Sequence, residues 1–470
     1  MPASSCAVVH MNPLISTLLL VALGLITYQL GRRRAFGLVD GELRKLHSLP
    51  AYYGLYAALW CVLPALLVAI AWAAFDGAII SHLVIAGIPE SLHGGDAGRI
   101  NLLLNDIRNV RLGLVSSAAA DPQVVAAAAH WDRLQAIGHA ALAVLVLVLA
   151  MLGAVFTLTR IHPDQRARNA VERMVQVIMM AAASVAILTT LGIVLSVLFE
   201  SIRFFQMISV TDFLFGTQWS PQMAMRADQA GSSGAFGAIP VFVGTALISA
   251  IAMAVAVPIG LFSAIYLSEY ASPLIRSIAK PLLEVLAGIP TVVYGVFAVL
   301  VVAPLLRSWG VKMGLDVASE SALAAGLVMG VMIIPFISSL SDDVINAVPQ
   351  SLRDGAYALG ATPSETIRKV VLPAALPGIV GSVMLAISRA IGETMIVVMA
   401  AGLTANLSFN PLESVTTVTV QIVTLLTGDQ EFDSPKTLAA FALGLVLFMV
   451  TLLLNVIALR VVNKYREQYE

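Results

Sequence analysis

Apolar runs of membrane-spanning length recur along almost the whole sequence, and this feature restricts the possible folds more than any other. A helix needs about 20 consecutive apolar residues to cross the hydrocarbon layer of a bilayer. Only 12% of the residues are charged, whereas soluble domains contain about 25%. The sequence therefore predicts an all-α polytopic membrane protein. Nine windows qualify as spans, at residues 13–31, 52–75, 137–159, 174–199, 238–267, 282–306, 321–340, 374–402 and 437–462.

The basic residues predict the direction in which the spans are threaded. Cytoplasmic loops of membrane proteins are enriched in Lys and Arg. Placing the N-terminus outside and the C-terminus in the cytoplasm puts most basic residues inside, including those at 32–34, 160–173 and 460–466. The formal net charge of −1 argues against a nucleic-acid partner, because binding to phosphate backbones requires concentrated positive charge.

The chain divides into two parts by its pattern. Residues 1–172 hold three spans and an Ala-rich helical segment, 76–136, which we expect outside the membrane. Within it, RINLLLNDIRNVRLGLV places apolar residues at helical spacing. Residues 173–470 hold six spans and the loops with the most specific chemistry. The sequence thus predicts a six-span core that follows an N-terminal three-span extension.

Two features near the predicted membrane surface have an ordinary structural interpretation. Trp219, Phe213 and Phe215 precede a span, where amphipathic rings favour the interface. Glu284 stands at the start of the span 282–306, where a carboxylate complements the positive end of a helix. We expect membrane anchoring for the rings and helix stabilisation for Glu284.

The polar segment 341–373 predicts two short cytoplasmic helices. Pro349 suits the first turn of a helix that runs from Ser351 to Leu359, and Gly360 suits a left-handed terminating residue. The sequence Thr362-Pro363-Ser364-Glu365 then forms a capping box before the next apolar run. Such a segment is either a well-capped connector or a docking knob, in which Leu352, Leu359 and Ile367 would be apolar anchors.

A charged pair interrupts one of the most apolar stretches, ISRAIGETMIVV at 387–398. Arg389 and Glu393 are four residues apart, so on a helix they would lie on one face and pair. An arginine in a bilayer costs about 2.5–3.5 kcal/mol on insertion scales, and such residues usually face an aqueous path. Its fork of donors would match two oxygens of an oxyanion, and Glu393 would neutralise it when no anion is bound. The alternative is an ion pair that only fixes how two helices meet. Further hydroxyl donors for the same path are predicted at Ser388, Thr394 and Tyr294.

The segment 341–373 resembles the coupling motif of bacterial ABC importer permeases. The matching residues are Asp354-Gly355-Ala356, Gly360 and Val370-Val371-Leu372-Pro373, with Asp, Gly and the first Val in place of the commoner Glu, Ala and Ile. These substitutions keep charge and small size. The resemblance implies that the segment sits in a cleft of a cytosolic ATPase, with contacts from Leu352, Asp354, Gly355, Ala356, Gly360, Leu372 and Pro373.

Four other segments narrow the resemblance to the PstC-like permease family of phosphate ABC importers. They are 213–221, 236–271, 282–295 and 388–402, and the resemblance covers about residues 175–465. It implies phosphate import through the bacterial inner membrane by alternating access. It also implies a PstA-like second permease, a PstB-like ATPase dimer and a PstS-like phosphate-binding protein as partners. The sequence lacks a G-x-x-x-x-G-K-[ST] loop, so ATP and Mg²⁺ are expected on the partner ATPase, with no cofactor on this chain and no enzymatic activity.

The sequence leaves other functions open. One arginine does not distinguish phosphate from phosphonate, sulfate or molybdate. The chain could also be a scaffold or sensor subunit that docks an ATPase without transporting, or a channel that works without ATP. Neither the residues nor the resemblance assigns a function to residues 1–172.

Overall fold

A computed structural model describes residues 13–39, 42–88, 97–114, 121–223, 233–427 and 434–466. The described chain is almost entirely helical, which confirms the predicted all-α class. The first part contains α1 (Pro13–Gly37), α2 (Pro50–Ala86), α3 (Ala97–Arg111), α4 (Pro122–Arg160) and α5 (Ala167–Met207). The chain continues with α6 (Val210–Phe215), β1 (Trp219–Met223), β2 (Ser233–Phe236), α7 (Ile239–Ile265), α8 (Pro273–Ala287), α9 (Thr291–Phe297), α10 (Ala303–Lys312), α11 (Ala322–Ala347), α12 (Gln350–Ala358), α13 (Pro363–Thr366), α14 (Leu372–Gly392), α15 (Met395–Ala400), α16 (Val418–Leu426) and α17 (Pro435–Arg466).

Three π-helical turns lengthen several of these helices. Tyr266–Tyr270 extends α7, Ala298–Val302 joins α9 to α10, and Ile367–Val371 joins α13 to α14. The last of these makes Pro363–Gly392 one continuous apolar helical segment of 30 residues. An uninterrupted helical segment therefore leads from the polar segment 341–373 to the end of α14.

The chain forms two compact units, Met1–Ile187 and Leu188–Glu470. The division falls within α5, later than the predicted boundary after residue 172. In the first unit, α1, α2 and α4 pack around Leu20, Cys61 and Val146. A Cβ atom on Gly153 would lie 2.1 Å from Trp60 O, so the absence of a side chain lets α4 approach α2 closely.

The described part of the segment 76–136 is helical, as predicted, and much of it belongs to the ends of α2 and α4. Helices α2 and α4 contain 37 and 39 residues, so each is about 55 Å or more in length, well beyond the ~30 Å hydrocarbon layer. They run on through much of this segment, because their amphipathic ends pack against α3. Ile80, Ile107 and Val124 form that contact. Helix α3 confirms the predicted amphipathic helix, and residues 89–96 and 115–120 lie outside the described part.

The second unit is built around α7 and α11. Ile248, Met329, Ile333 and Ile337 are fully buried between these helices and their neighbours. A Cβ atom on Gly330 would lie 2.9 Å from Ala252 O, so the two backbones meet almost directly. Close packing through small residues replaces the hydrophobic effect as the main attraction between helices in lipid.

Eight described helical segments are long and apolar enough to cross a membrane. The predicted first span lies on α1, whose side chains are described only from Thr17. The others agree with the predicted order of spans. They are Pro50–Ala86, Pro122–Arg160, Ala167–Met207, Ile239–Tyr270, Thr291–Lys312, Ala322–Ala347, Pro363–Gly392 and Pro435–Val462.

Two predicted spans have wrong boundaries. The span 282–306 begins instead at Thr291, because Pro290 separates α8 from α9. Glu284 consequently lies in the last turn of α8, so the expected role at a helix N-terminus is wrong. The span 374–402 ends at Gly392, because Glu393 has an extended backbone conformation with ψ of 132°.

The antiparallel hairpin of β1 and β2 carries a cluster of aromatic rings. Trp219 pairs with Phe236 across the two strands. The Trp219 ring packs edge to face against Phe236 and Phe213, at centroid distances of 6.2 and 6.5 Å. Phe213 is fully buried and Trp219 is 8% exposed. The prediction of interfacial anchoring is therefore wrong for these two rings, because they form an internal cluster, whereas Phe215 is exposed.

Candidate transport site and coupling surface

The apolar stretch that contains Arg389 and Glu393 is interrupted by a break in the helix. Helix α14 ends at Gly392 and α15 begins at Met395. The Glu393 carboxylate accepts a hydrogen bond from the Met395 amide at 3.1 Å, so it satisfies a donor at the start of α15. The hydroxyl of Thr419 donates to Glu393 O at 2.9 Å. The backbone turn is thus fixed on both sides.

Arg389 lies in the last turn of α14 and is exposed on this chain. Its guanidinium carbon lies 5.5 Å from the centroid of the Phe336 ring, within the range of a cation–π contact. A cation at this position also complements the negative end of the helix. Because the side chain is exposed, its guanidinium is accessible from outside this chain.

The predicted ion pair between Arg389 and Glu393 is not formed: no N–O distance of 4.0 Å or less joins these two described side chains. An i,i+4 pair requires a helix through both residues. Here α14 stops before Glu393, and the carboxylate turns back to the Met395 amide instead. The two residues stay close in sequence on either side of the break, but Glu393 does not directly neutralise Arg389 in this conformation.

The three predicted hydroxyl donors are not gathered around Arg389. Ser388 donates to Asn455 Oδ1 on α17 at 2.9 Å, and the buried Tyr294 donates to Leu286 O at 2.8 Å. Thr394 is half-buried beside the break and bonds Gly392 O at 3.3 Å. Ser388 and Tyr294 thus fix helix packing in this structure, and only Thr394 stands at the discontinuity itself.

A cavity of about 240 Å³ lies between α8 and α11, and Phe336 is one of its lining residues. It is lined by Lys280, Glu284, Ser338, Ser339 and Asp342 together with apolar residues. None of these polar residues was singled out for the transport path from the sequence. The sequence pattern that could have identified this cavity is the pair Asp342 and Asp343, which follows a long apolar run. Among the described residues, no group of His, Cys, Asp and Glu is arranged to hold a metal ion.

A buried carboxylate at the edge of this cavity joins α8 to α11. Asp342 has a side chain only 3% exposed and accepts from Arg276 Nη2 at 3.2 Å and Lys280 Nζ at 2.9 Å. The hydrogen bond to Asp342 raises the pKa of Lys280 above its ordinary value. Lys280 also contacts the exposed Asp343 at 3.3 Å. Because one buried anion is shared by two cations, the cluster holds α8 firmly against α11.

We expect Asp342→Asn to lower the thermal denaturation temperature of the purified protein by a few degrees. Asparagine keeps the shape of the side chain but removes the charge that two cations share, and such charge-assisted bonds contribute about 1.5–3 kcal/mol. Arg276 and Lys280 are each about one-third exposed, so water compensates for part of the loss. Asp343→Asn is the control, and it should change the denaturation temperature little. Equal shifts in the two variants would contradict a special role for the buried carboxylate.

The segment 341–373 forms the two short helices that the sequence predicts. Helix α12 starts directly after Pro349, and Gly360 terminates it with a φ of +83°. Thr362 accepts from the Glu365 amide, while the Glu365 carboxylate accepts from the Thr362 amide, so both halves of the predicted capping box are present. Local turn chemistry therefore determines this region.

An open groove of about 620 Å³ runs between α12 and α13. Leu352 and Leu359 are 45% and 91% exposed, and an added Cβ on Gly355 would meet no atom within 4 Å. Ala356 is buried in the wall of the groove. The surface therefore combines exposed apolar anchors with a small-residue floor, as a docking site for another protein requires. Of the other residues that the resemblance assigned to coupling, Asp354 is exposed and accepts a hydrogen bond from Gln350. Leu372 and Pro373 are half-buried at the start of α14.

Arg353 attaches α12 to the rest of the unit, and sequence reasoning missed it. It is 8% exposed and donates to Val348 O at 2.5 Å, Ile345 O at 2.8 Å and Glu269 Oε1 at 2.9 Å. Glu269 belongs to the π-helical extension of α7, and Ile345 to the last turn of α11. The arginine thus connects α12 to two helical segments of membrane-spanning length. Its burial depends on tertiary contacts and left no pattern in the sequence.

Gly360→Val is expected to weaken the association of this chain with an ATPase subunit. A left-handed backbone costs a residue with a side chain about 1–2 kcal/mol, and a β-branched residue is among the least tolerant. Because an added Cβ meets no atom within 4 Å, this cost comes from the backbone alone. Co-purification from detergent measures it. Gly360→Asn is the matched control, because asparagine tolerates a positive φ; undiminished co-purification of the valine variant would refute the prediction.

Both units match families of transport proteins. Residues 17–189 match a family model described as a phosphate ATP-binding cassette transporter. Residues 256–467 match a model described as the binding-protein-dependent transport system inner membrane component. The first match assigns a family to the N-terminal extension, for which sequence reasoning gave none.

Several curated relatives are permeases. A probable ABC transporter permease protein of Bacillus subtilis, YqgH, is 34% identical over 281 residues, which cover 59% of this chain and 84% of the relative. The phosphate transport system permease protein PstC of Mesorhizobium japonicum is 34% identical, and the match covers 59% of this chain and 86% of the relative. PstC of Haemophilus influenzae is 32% identical, and the match covers 54% of this chain and 82% of the relative.

Two solved transporters are similar at lower identity. A methionine ABC transporter, MetNI, in an inward-facing conformation is 19% identical with a TM-score of 0.36, covering 49% of this chain and 94% of that chain. A bacterial alginate ABC transporter is 17% identical with a TM-score of 0.44, and the match covers 64% of this chain and 99% of that chain.

The curated relatives are permease subunits, and eight described helical segments of this chain are long and apolar enough to cross a membrane. The chain belongs to the family of binding-protein-dependent transport system inner membrane components, and it is a multi-pass membrane subunit of an ABC transporter. Subunits of this class work with a separate ATPase and a substrate-binding protein.

Proposed function

We propose that the chain is a permease subunit of an ATP-driven importer of inorganic phosphate. The observation that carries this proposal is Arg389, an exposed guanidinium at the end of a membrane helix and beside a break in it. Arginine stays protonated at physiological pH and presents parallel donors that match two oxygens of a phosphate. The curated relatives named as phosphate permeases and the model matched by residues 17–189 support phosphate as the anion.

The route from the ATPase to the anion runs through two connections in the second unit. The continuous segment Pro363–Gly392 begins at the coupling groove and ends three residues after Arg389; its 30 residues correspond to about 45 Å. Arg353 additionally joins α12 to α7 and α11. Closure of an ATPase dimer against the groove would therefore move Arg389 and its surroundings together, which is the basis of alternating access.

The partners follow from the same proposal. A PstA-like permease completes the membrane path, a PstB-like ATPase dimer binds ATP and Mg²⁺ and occupies the groove, and a PstS-like protein delivers phosphate from outside. The positive-inside rule places the N-terminus outside and the C-terminus in the cytoplasm of a bacterial inner membrane. In this orientation the groove faces the cytoplasm, as docking of a cytosolic ATPase requires.

Uptake of labelled phosphate by proteoliposomes that contain the reconstituted complex tests the proposal. We expect ATP-dependent accumulation that unlabelled phosphate suppresses and that sulfate, molybdate and phosphonate do not. If one of those anions suppressed uptake at a lower concentration than unlabelled phosphate does, that anion would be the substrate instead. An assembled complex that hydrolyses ATP but accumulates none of the four would leave a scaffold or sensor role. Accumulation without ATP would identify a channel.

A further inference from the structure

A buried series of hydrogen bonds begins at the β-hairpin and reaches into α16. The indole N–H of Trp219 donates to Gln421 Oε1 at 2.8 Å, although 202 residues separate them. Gln421 is 5% exposed, and its Nε2 donates to Leu403 O at 2.8 Å and to Thr416 Oγ1 at 3.2 Å. Both the oxygen and the nitrogen of the Gln421 side-chain amide are thus hydrogen-bonded. Because a lost bond would leave a buried polar atom unpaired, this arrangement strongly specifies one geometry.

The same short helix contacts the break beyond Arg389. Helix α16 has nine residues, too few to cross a membrane, and is capped by Thr417. Its Val418 amide donates to Thr245 Oγ1 of α7 at 3.0 Å. On the next residue, the Thr419 hydroxyl donates to Glu393 O at 2.9 Å. Helix α16 therefore bridges the hairpin, α7 and the break.

The bond from Thr419 stabilises the break itself. Glu393 lies in an otherwise apolar helical stretch, and its carbonyl would have a helical partner if α14 continued into α15. In the broken conformation that carbonyl is satisfied by Thr419 from outside. The position of α16 therefore decides between a broken and a continuous helix. In a continuous helix Glu393 would lie one turn after Arg389 on the same face, so the charge beside the guanidinium depends on the same choice.

The hairpin and the coupling surface lie at opposite ends of α7. The hairpin directly precedes Ile239, whereas the other end of this helical segment carries Glu269, which pairs with Arg353 of α12. The segment Ile239–Tyr270 has 32 residues, which corresponds to about 48 Å. The hairpin is thus on the face remote from the ATPase, where a substrate-delivering protein would arrive.

The geometry points to Gln421 and Thr419 as positioning residues that transmit the state of the hairpin to the break beside Arg389. This inference rests on the proposed function, since the signal is the arrival of the phosphate-delivering protein. Displacement of the hairpin shifts Trp219 and, through Gln421, helix α16. The bond between Thr419 and Glu393 then opens, and α14 and α15 join into a continuous helix that places the Glu393 carboxylate on the same face as Arg389.

A matched pair of threonines on α16 tests the inference. Thr419→Val removes the hydroxyl that bonds Glu393 O but keeps the β-branched shape. Thr424→Val is the control, because that hydroxyl bonds only Val420 O within α16. We expect Thr419→Val to reduce ATPase stimulation by the phosphate-loaded binding protein about fivefold or more, a typical coupling effect, with basal ATPase activity unchanged. Equal stimulation in the two variants would overturn the inference.

The bond between Trp219 and Gln421 is tested by a double-mutant cycle. Trp219→Phe keeps an aromatic ring in the cluster but removes the donor, and Gln421→Met keeps side-chain length but removes the amide. If the bond transmits the signal, the double variant should lose no more stimulation than Gln421→Met alone. Purely additive losses would mean that the residues act separately and would exclude the relay.

A substrate-independent measurement separates this inference from the proposed function. Amide hydrogen exchange at residues 393–400 reports the break directly, in the complex without anion or binding protein. We expect altered exchange in Thr419→Val and Gln421→Met but not in Thr424→Val. Failure of the unaltered complex to take up phosphate would refute the proposed function alone. Unchanged exchange in all three variants would refute the relay alone.

Discussion

Replacing Arg389 with glutamine should reduce phosphate uptake by the reconstituted complex about ten- to a hundredfold, because bonds to a charged group contribute about 1.5–3 kcal/mol. Glutamine retains much of the length and hydrogen-bonding capacity of the side chain but carries no charge. The position is exposed and no described ion pair depends on it, so the complex should still assemble. The initial rate of labelled phosphate uptake at saturating ATP measures the effect.

Two further substitutions make the Arg389 result specific. Arg389→Lys keeps the charge but loses the planar fork, so we expect uptake between those of the unaltered protein and the glutamine variant. Arg307→Gln removes an equally exposed arginine from α10 and should leave uptake unchanged. If Arg389→Gln transports normally, the anion path does not use this residue. Loss in both glutamine variants would indicate a general effect of surface charge.

The membrane class and the coupling region could be predicted because their determinants are local. A run of 20 apolar residues identifies a span whatever it packs against. Gly360 and the Thr362–Glu365 capping box specify a helix end and a helix start through bonds between near neighbours. The structure reproduces both, so the two short helices of the cytoplasmic segment follow directly from turn chemistry.

The break after Gly392 could not be predicted because it depends on distant residues. Apolar residues flank the polar Glu393 and Thr394 on both sides, and the bond that fixes the break comes from Thr419, 26 residues beyond Glu393. The predicted pair of Arg389 and Glu393 failed for this reason, since its geometry assumed an uninterrupted helix. Ser388 and Tyr294 likewise bond partners that no spacing rule identifies. Tertiary contacts therefore determine the candidate site, whereas local patterns determine the spans.

The second large effect is expected at Arg353. Arg353→Met removes three hydrogen bonds and leaves Glu269, whose side chain is 10% exposed, without its cation. Breaking a buried pair by removing one partner costs about 3–5 kcal/mol. We expect loss of ATPase co-purification and of uptake, because α12 is no longer held against α7 and α11. Arg368→Met is the control, since it removes an exposed charge from the same segment and should leave both measurements near normal.

A second substitution distinguishes mechanical attachment from simple charge loss at this position. Adding Glu269→Gln to Arg353→Met removes the unpaired buried carboxylate, so the double variant should recover part of its thermal stability relative to Arg353→Met. It should not recover coupling, because neither Ile345 O nor Val348 O regains a donor from α12. Restored uptake in the double variant would show that the carboxylate alone caused the defect. Stability without transport would instead establish that motion passes from the ATPase to the spans through the Arg353 side chain.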